Sequence, residues 1–373
     1  MKQAIVPMKT VFDMETQDPD DYLTLLLLLG HPMVNLVAVT ITPGSAYQVG
    51  LVKRTLAMFG RQDIRVGANN IDHPKPCVSG WHERAYGSIT PDGEAEEAGA
   101  LLAEVCDAET TLITGAPLKN LGEAMKHKHF TLGRWVAQGG FAGEGVVPPE
   151  KQLPKFKGLK TVATFNFNGA PKAALQALEH DGIGERWCVS KNVCHGVVYT
   201  ERVHQWLESR AEGVRHLEMI WQGMETYLAK KRSRAAFRQR ALTEADLGTI
   251  SEVRLIPRSK GSAARVITLE DALAEAKEAR LDLVTLDDRQ SPCVVKVGVA
   301  QAPPSEPVEY GKKFHDPLAA CCAIDTSIGE WAEVELYRER GLWGSRIRPG
   351  SGTRIIVDYD HERFLEVLSM RPV

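Results

Sequence analysis

Residues 10–30 read Thr10-Val11-Phe12-Asp13-Met14-Glu15-Thr16-Gln17-Asp18-Pro19-Asp20-Asp21-Tyr22-Leu23-Thr24-Leu25-Leu26-Leu27-Leu28-Leu29-Gly30, and this stretch decides the fold. Val11 and Phe12 end an apolar strand, Asp18 suits an N-cap, and Pro19 suits the first helical position. An apolar helix then runs from Tyr22 until Gly30 and Pro32 stop it. Between strand and helix, five carboxylates (Asp13, Glu15, Asp18, Asp20 and Asp21) fall within nine residues. They sit at the carboxyl end of a strand, where open α/β sheets bind ligands. Anionic oxygens crowded in this way repel one another unless a cation or a set of donors neutralises them. With no Cys or His pair at ligand spacing nearby, an oxygen-only set favours calcium or magnesium over zinc.

Outward from this stretch, strand and helix patterns alternate to about residue 190. Strands are expected at Thr10–Asp13, Asn35–Thr42, Ile64–Gly67, Thr111–Thr114, Arg134–Gln138 and Trp187–Ser190, with helices near 20–29, 46–59, 95–106, 117–126 and 171–180. That order predicts an α/β fold, a mainly parallel sheet with helices on both faces. Residues 201–240 read as helical throughout and end in a basic run. Lys230, Lys231, Arg232, Arg234, Arg238 and Arg240 place six cations in eleven residues, either a solvated helix face or a contact for RNA or phosphate. From about 249 to 299 the order becomes strand, strand, helix, strand, strand, a small β-α-β module of its own. Thr268-Leu269-Glu270-Asp271 resembles a capping box, and Leu269, Ala272, Leu273, Ala276 and Ala279 form one apolar helix face. A proline-rich linker, Ala302–Pro307, leads back to the main body. The expected division is 1–240 for the first part of the core, 241–312 for the inserted module and its linker, and 313–373 for the completing part.

Charged residues make up 25% and hydrophobic ones 43% of the 373 residues, which describes a soluble globular chain. A net charge of −3 gives no general attraction to nucleic acid or membrane, so any such partner needs a local patch. The seven cysteines are odd in number and scattered through apolar patterns, as reduced core thiols would be. The first residues lack the apolar run of a signal peptide and Leu25–Leu29 is too short to span a bilayer, so a cytoplasmic location without membrane contact is expected.

With the acidic loop, the chain carries, in order, Gly115-Ala116-Pro117-Leu118-Lys119-Asn120, Gln138-Gly139-Gly140, Thr164-Phe165-Asn166-Phe167-Asn168 and Phe314-His315-Asp316-Pro317-Leu318-Ala319. On these motifs, over roughly 8–230 and 311–373, it resembles the inosine-uridine-preferring nucleoside hydrolase family. The resemblance implies a Rossmann-like sheet and calcium-dependent hydrolysis of the N-glycosidic bond of a ribonucleoside, giving ribose and free base, as in purine and pyrimidine salvage. It implies calcium ligands at Asp21, Asp316 and the Lys119 main-chain carbonyl. Asp20 and Asn166 would hold the ribose, and His315 would protonate the departing base. Asn168 belongs to the same sugar-binding motif. His82 and Trp81, in Ser79-Gly80-Trp81-His82-Glu83-Arg84, are expected in an active-site loop, the indole stacking on the base or serving as ordinary packing.

The chain departs from the family pattern Asp-x-Asp-x-Gly-x-Asp-Asp by having Asp13-x-Glu15, one extra residue before Asp20, and no glycine. Glu15, with Asp13 beside it, therefore stands where the family binds calcium and activates water, and either could be the base. Thr164 replaces a glutamate that grips the 5′ region of the sugar. The lengthened segment before it carries Lys151, Lys155, Lys157 and Lys160, so the 5′ end could be a phosphate, although exposed loop lysines are the plainer reading. The inserted module resembles the amino-terminal domain of bacterial translation initiation factor three, through Ser251–Ile256, Leu269–Ala276, Leu281–Val284 and Ser291–Lys296. The expected partners are a nucleoside-like small molecule, a second copy of the chain in a homo-oligomer, and RNA or the ribosome through the insert. Two other functions fit the same residues: a weakened hydrolase fold that binds RNA, ribosomes or protein, and a hydrolase of nucleotides or modified nucleosides.

Overall fold

Val11, Phe12 and Met14 have no exposed surface, so the strand they share with Asp13 must be covered on both faces, as parallel central strands are. The computed structural model describes residues 6–235, 250–256, 264–278, 282–287, 293–298 and 311–372. The chain divides into two compact units, Met1–Tyr227 with Gly311–Val373, and Leu228–Tyr310.

In the first unit the strands before the insert are β1 (Met8–Met14), β2 (Val34–Ile41), β3 (Arg65–Ala68), β4 (Glu96–Glu97), β5 (Thr111–Thr114), β6 (Leu132–Gln138), β7 (Thr161–Val162), β8 (Ile183–Val189) and β9 (Val198–Thr200). The second unit holds β10 (Glu252–Ile256), β11 (Arg265–Thr268), β12 (Asp282–Asp287) and β13 (Cys293–Gly298). Back in the first unit come β14 (Gly311–Lys313), β15 (Gly329–Glu339), β16 (Leu342–Ile347) and β17 (Thr353–Tyr359). Eleven strands form one sheet in the order β4-β3-β2-β1-β5-β6-β8-β17-β15-β16-β7. Pairing is parallel from β4 to β17 and antiparallel beyond it. This is the mostly parallel α/β sheet that the alternating pattern predicts.

The helices used below are α1 (Pro19–Gly30), α2 (Ala46–Met58), α3 (Gly80–Tyr86), α4 (Ala98–Val105), α5 (Lys119–Ala124), α6 (Phe165–Gly169), α7 (Pro171–Glu179), α8 (Lys191–Cys194), α9 (Glu201–Ala211), α10 (Arg215–Ala235), α11 (Leu269–Glu278) and α12 (His315–Ile324). The stretch expected to be one helical run over 201–240 is instead split into α9 and α10, because Gly213 takes φ +72°, a left-handed conformation that ends a helix. Lys230, Lys231 and Arg232 lie on α10. Arg238 and Arg240 of the basic run, and the expected linker Ala302–Pro307, lie outside the described residues.

In the second unit the strand order is β11-β10-β13-β12, and Val253, Leu255, Leu269, Ala272, Ala276 and Val295 bury a core of its own. Thr268 Oγ1 accepts the Asp271 N–H (3.0 Å), the cap that the sequence predicts for α11. Six described cysteines are free thiols. Among the described residues no helix is long and apolar enough to cross a membrane.

Candidate active site

β1 runs beside β5, and the loops leaving these two strands meet the start of α12 over the sheet's carboxyl edge. A cavity of ≈ 520 Å³ opens there. It is lined by Glu15, Gln17, Asp18, Asp20 and Asp21 from the first loop and α1, Gly115 after β5, Gln138 and Gly139 after β6, Thr164, Phe165 and Asn166 at α6, Lys191 and His195 at α8, and His315 and Asp316 of α12. Asp20 and His315, 295 positions apart in sequence, thus share one wall.

Asp20, Asp21 and Asp316 are all buried, and each offers an oxygen within 4.8 Å of the others. Burial, then the neighbouring carboxylate charges, push Asp21 and Asp316 well above the usual carboxylate range. Asp316 Oδ1 has no hydrogen-bond partner. Gly115 lies against both side chains: a Cβ there would stand 2.7 Å from Asp21 Oδ1 and 2.8 Å from Asp316 Oδ1. Crowded, oxygen-only, and with an orphaned buried acceptor, these residues fit a hard divalent cation.

Glu15 lines the same cavity, its N–H donating to Asp21 Oδ1 (3.1 Å). Burial first, then the charges of Asp18 and Asp20, raise its carboxyl to about 7. Asp13 does not reach the cavity. It is wholly buried, with Oδ1 accepting from Thr40 Oγ1 and Asn120 Nδ2 (both 2.7 Å) and Oδ2 unpartnered, and burial raises it to about 7.

Asp18 occupies the N-cap position of α1 as expected, yet makes no capping hydrogen bond. It pairs instead with Lys312 Nζ (2.8 Å), which also donates to Asp20 Oδ1 (2.9 Å) and to the Lys313 carbonyl (2.8 Å). Lys312 is buried, and although burial opposes its charge, Asp20 and Asp18 more than offset it and raise its pKa. It reaches the acids because β14 pairs antiparallel with β9, Lys312 opposite Tyr199. Just beyond β14 the His315 N–H donates to Asp20 Oδ2 (3.1 Å).

His315 lines the cavity but is not a protonated acid in waiting. Burial and the Lys312 charge lower its imidazole to about 3, against the near-neutral value a histidine has in water. Its Nε2 is unpartnered, and its ring stacks on His195 at 4.7 Å.

Asn166 braces the floor. Its Nδ2 donates to the carbonyls of Gly115 (2.9 Å) and Gln138 (3.0 Å) and to Gln138 Oε1 (2.8 Å). Thr164 lines the cavity from a buried position. Asn168, expected at the sugar, lies away from it: its Oδ1 accepts the Trp343 indole N–H (3.0 Å). The Lys119 side chain is exposed at the start of α5 and does not line the cavity.

Trp81 and His82 are not in an active-site loop. They form part of α3 and turn inward, because their apolar rings pack with Tyr22 and Tyr86. The Trp81 indole donates to the Gly223 carbonyl (3.0 Å), and its ring is buried among Tyr22, His82 and Tyr86, which leaves no face for a base. His82 Nε2 holds the Thr16 carbonyl at 2.8 Å, while Thr16 Oγ1 donates to the Cys77 carbonyl (2.8 Å) and accepts from Gln48 Nε2 (2.9 Å). His82 therefore supports the acidic loop from behind. The aromatic that does line the cavity is Phe165, 70% exposed. A second cavity of ≈ 520 Å³, lined by Lys53, Leu56 and Glu94 among others, gathers no such set of acids.

The family model described as inosine-uridine preferring nucleoside hydrolase matches residues 10–366. The chain belongs to that family. Its members are N-glycosyl hydrolases, which agrees with an acid-lined cavity at the sheet edge. Among curated proteins, none matches the chain. Several solved hydrolases share the fold at low identity. A plant nucleoside hydrolase, PpNRh1, is 15% identical with a TM-score of 0.58, covering 98% of each chain. A purine-preferring ribonucleoside hydrolase from Gardnerella vaginalis is 14% identical, TM-score 0.54, over 97% of this chain and 96% of its own. An inosine-uridine preferring nucleoside hydrolase from Bacillus anthracis is 14% identical, TM-score 0.55, over 97% and 98%.

Proposed function

We propose that the protein hydrolyses the N-glycosidic bond of a ribonucleoside, with calcium held by Asp21, Asp316, Glu15 and the Lys119 carbonyl. The observation that carries this reading is the meeting of Asp20, Asp21 and Asp316 within 4.8 Å beside Glu15 in one cavity. Calcium bound there would orient the ribose diol and ease deprotonation of the attacking water. Cleavage passes through an oxocarbenium-like transition state, so a water must be activated below the anomeric carbon as the C–N bond breaks. Glu15 is the base, because its carboxyl faces the cavity, whereas Asp13 is turned into Thr40 and Asn120 and supports it. Asp20, steadied by Lys312, and Asn166 hold the sugar. Phe165 offers a face to the base, and His315 meets the departing base as a neutral hydrogen-bonding imidazole.

The test is release of free base from a panel of ribonucleosides with and without calcium. Turnover abolished by chelation and restored by calcium is expected. No release from any ribonucleoside or ribonucleoside 5′-monophosphate at saturating calcium would overturn the reading.

A docking role for the inserted unit rests on its resemblance to the initiation-factor domain alone. Co-sedimentation of the full chain with ribosomes tests it.

A further inference from the structure

Four lysines precede Thr164 in the lengthened segment, and their surroundings separate them. Lys151 is taken up by Glu330 (2.6 Å) and Asp358 (2.9 Å). Lys157 and Lys160 are exposed. Lys155 is exposed like them but reaches the cavity-lining His195, its Nζ 2.6 Å from His195 Nδ1. Lys313 Nζ approaches the same nitrogen at 3.2 Å.

A neutral imidazole nitrogen has one lone pair, so it can satisfy only one of these two ammonium groups. His195 is neutral, since burial and then the charges of His315, Lys155, Lys313 and Lys191 lower it to about 2. A third ammonium stands close by. Lys191 lines the cavity with His195, its Nζ donating to the carbonyl of Ala163, the residue before Thr164 (2.8 Å). Among the described residues no carboxylate forms an ion pair with Lys155, Lys191 or Lys313. Burial, followed by Lys313 and Lys191, brings Lys155 down to about 8.

Three cations converge here without an anion, a costly arrangement that a dianion would relieve. The cavity is thus acidic at the α1 and α12 residues and basic at α8. Cys194, His195 and His315 are near enough to share a soft metal, but neighbouring ammonium groups repel a cation and burial pushes the Cys194 thiol up to about 12.

We propose that Lys155, Lys191 and Lys313, gathered about His195 beside Thr164, form a phosphate-monoester subsite at the edge of the catalytic cavity, and that the substrate is a riboside 5′-phosphate such as a nucleoside monophosphate. The substrate assignment rests on the riboside-hydrolase reading above. Thr164, buried at the cavity wall, sets no negative charge beside these lysines. Water adds to the anomeric carbon as the C–N bond breaks, one water proton ends on the departing base, and the phosphate ester is untouched, giving ribose 5-phosphate and free base.

The full chain, with calcium, is assayed on nucleosides and on their 5′-monophosphates, alone and as Lys155→Gln and Lys191→Gln. The ratio of kcat/KM for monophosphate over nucleoside should exceed one and fall by about 10- to 100-fold for each lysine removed, as expected when a hydrogen bond to a charged group is lost. Lys157→Gln, in the same loop, should leave the ratio unchanged. Calorimetric binding of inorganic phosphate provides a readout that needs no turnover, and both active-site lysine variants should weaken it. A wild type that favours nucleosides, with phosphate binding indifferent to these lysines, overturns the proposal while leaving the hydrolase reading intact. Phosphate binding that depends on the lysines without preferential cleavage of monophosphates overturns the substrate assignment and makes the subsite one for free phosphate or a separate nucleotide. Loss of phosphate binding in the variants of a protein that cleaves no riboside supports the subsite and removes the hydrolase reading.

Discussion

Gly115 has no side chain, and the space a Cβ would need is filled by the carboxylates of Asp21 and Asp316. Gly115→Ala should push these two acids apart while the surrounding strands stay folded. A loss of about 10- to 100-fold in calcium affinity is expected, the range seen when residues that orient metal ligands are changed. Calcium titration followed by calorimetry checks this, with circular dichroism to confirm the fold; unaltered affinity would remove the two aspartates as ligands. Single residues were only partly legible in the sequence. The acids could be placed by spacing, since strand end, N-cap and Pro19 fix where they fall. Trp81 and His82 could not, because nothing local to Ser79–Arg84 says that α3 turns its rings toward Tyr22. Lys312 was missed for the opposite reason: its importance lies in β14 pairing with β9, a contact between segments more than a hundred residues apart.

At the scale of elements, the alternating strands and helices before residue 190 were readable because each parallel strand is a short apolar run bounded by turn residues. The closing strands β15–β17 were not, since they mix charged and apolar residues and one of them, β17, joins the sheet beside β8. The second unit, Leu228–Tyr310, buries a core of its own. Replacing Leu228–Tyr310 with a short Gly/Ser linker should therefore leave a folded protein that binds calcium and hydrolyses its riboside within a few-fold of the parent. Thermal melts and a base-release assay test it. A folded, calcium-binding product without turnover would make the insert part of the catalytic machinery.

Across the whole molecule, stability should depend on pH in two opposed ways. His31, His82 and His216 are buried, and burial lowers each to about 4. Their unfolded counterparts titrate near about 6.5. Stability from these neutral imidazoles is complete above that value, declines as pH falls below it, and is lost once pH passes about 4. Asp21 and Asp316 act the other way in the metal-free protein, their raised pKa values making the fold less stable as pH rises above the ordinary carboxylate range. Calcium requires them ionised, so its effect should grow with pH. Melting temperatures with and without calcium should differ more at pH 8 than at pH 5. An equal increment at both would show that ionisation of these acids is not linked to calcium binding.

The strand β17, late in the chain, is an interior one, lying between β8 and β15. Loss of β17 would therefore open a gap in the middle of the sheet instead of fraying an edge. The same holds while the chain is being synthesised. Asp20 emerges 295 residues before His315, whose neighbour Asp316 completes the acidic cluster, and the strand that seals the sheet follows later still. A nascent chain therefore cannot gather the acidic cluster until Asp316 has left the ribosome, nor close the sheet until β17 has followed it.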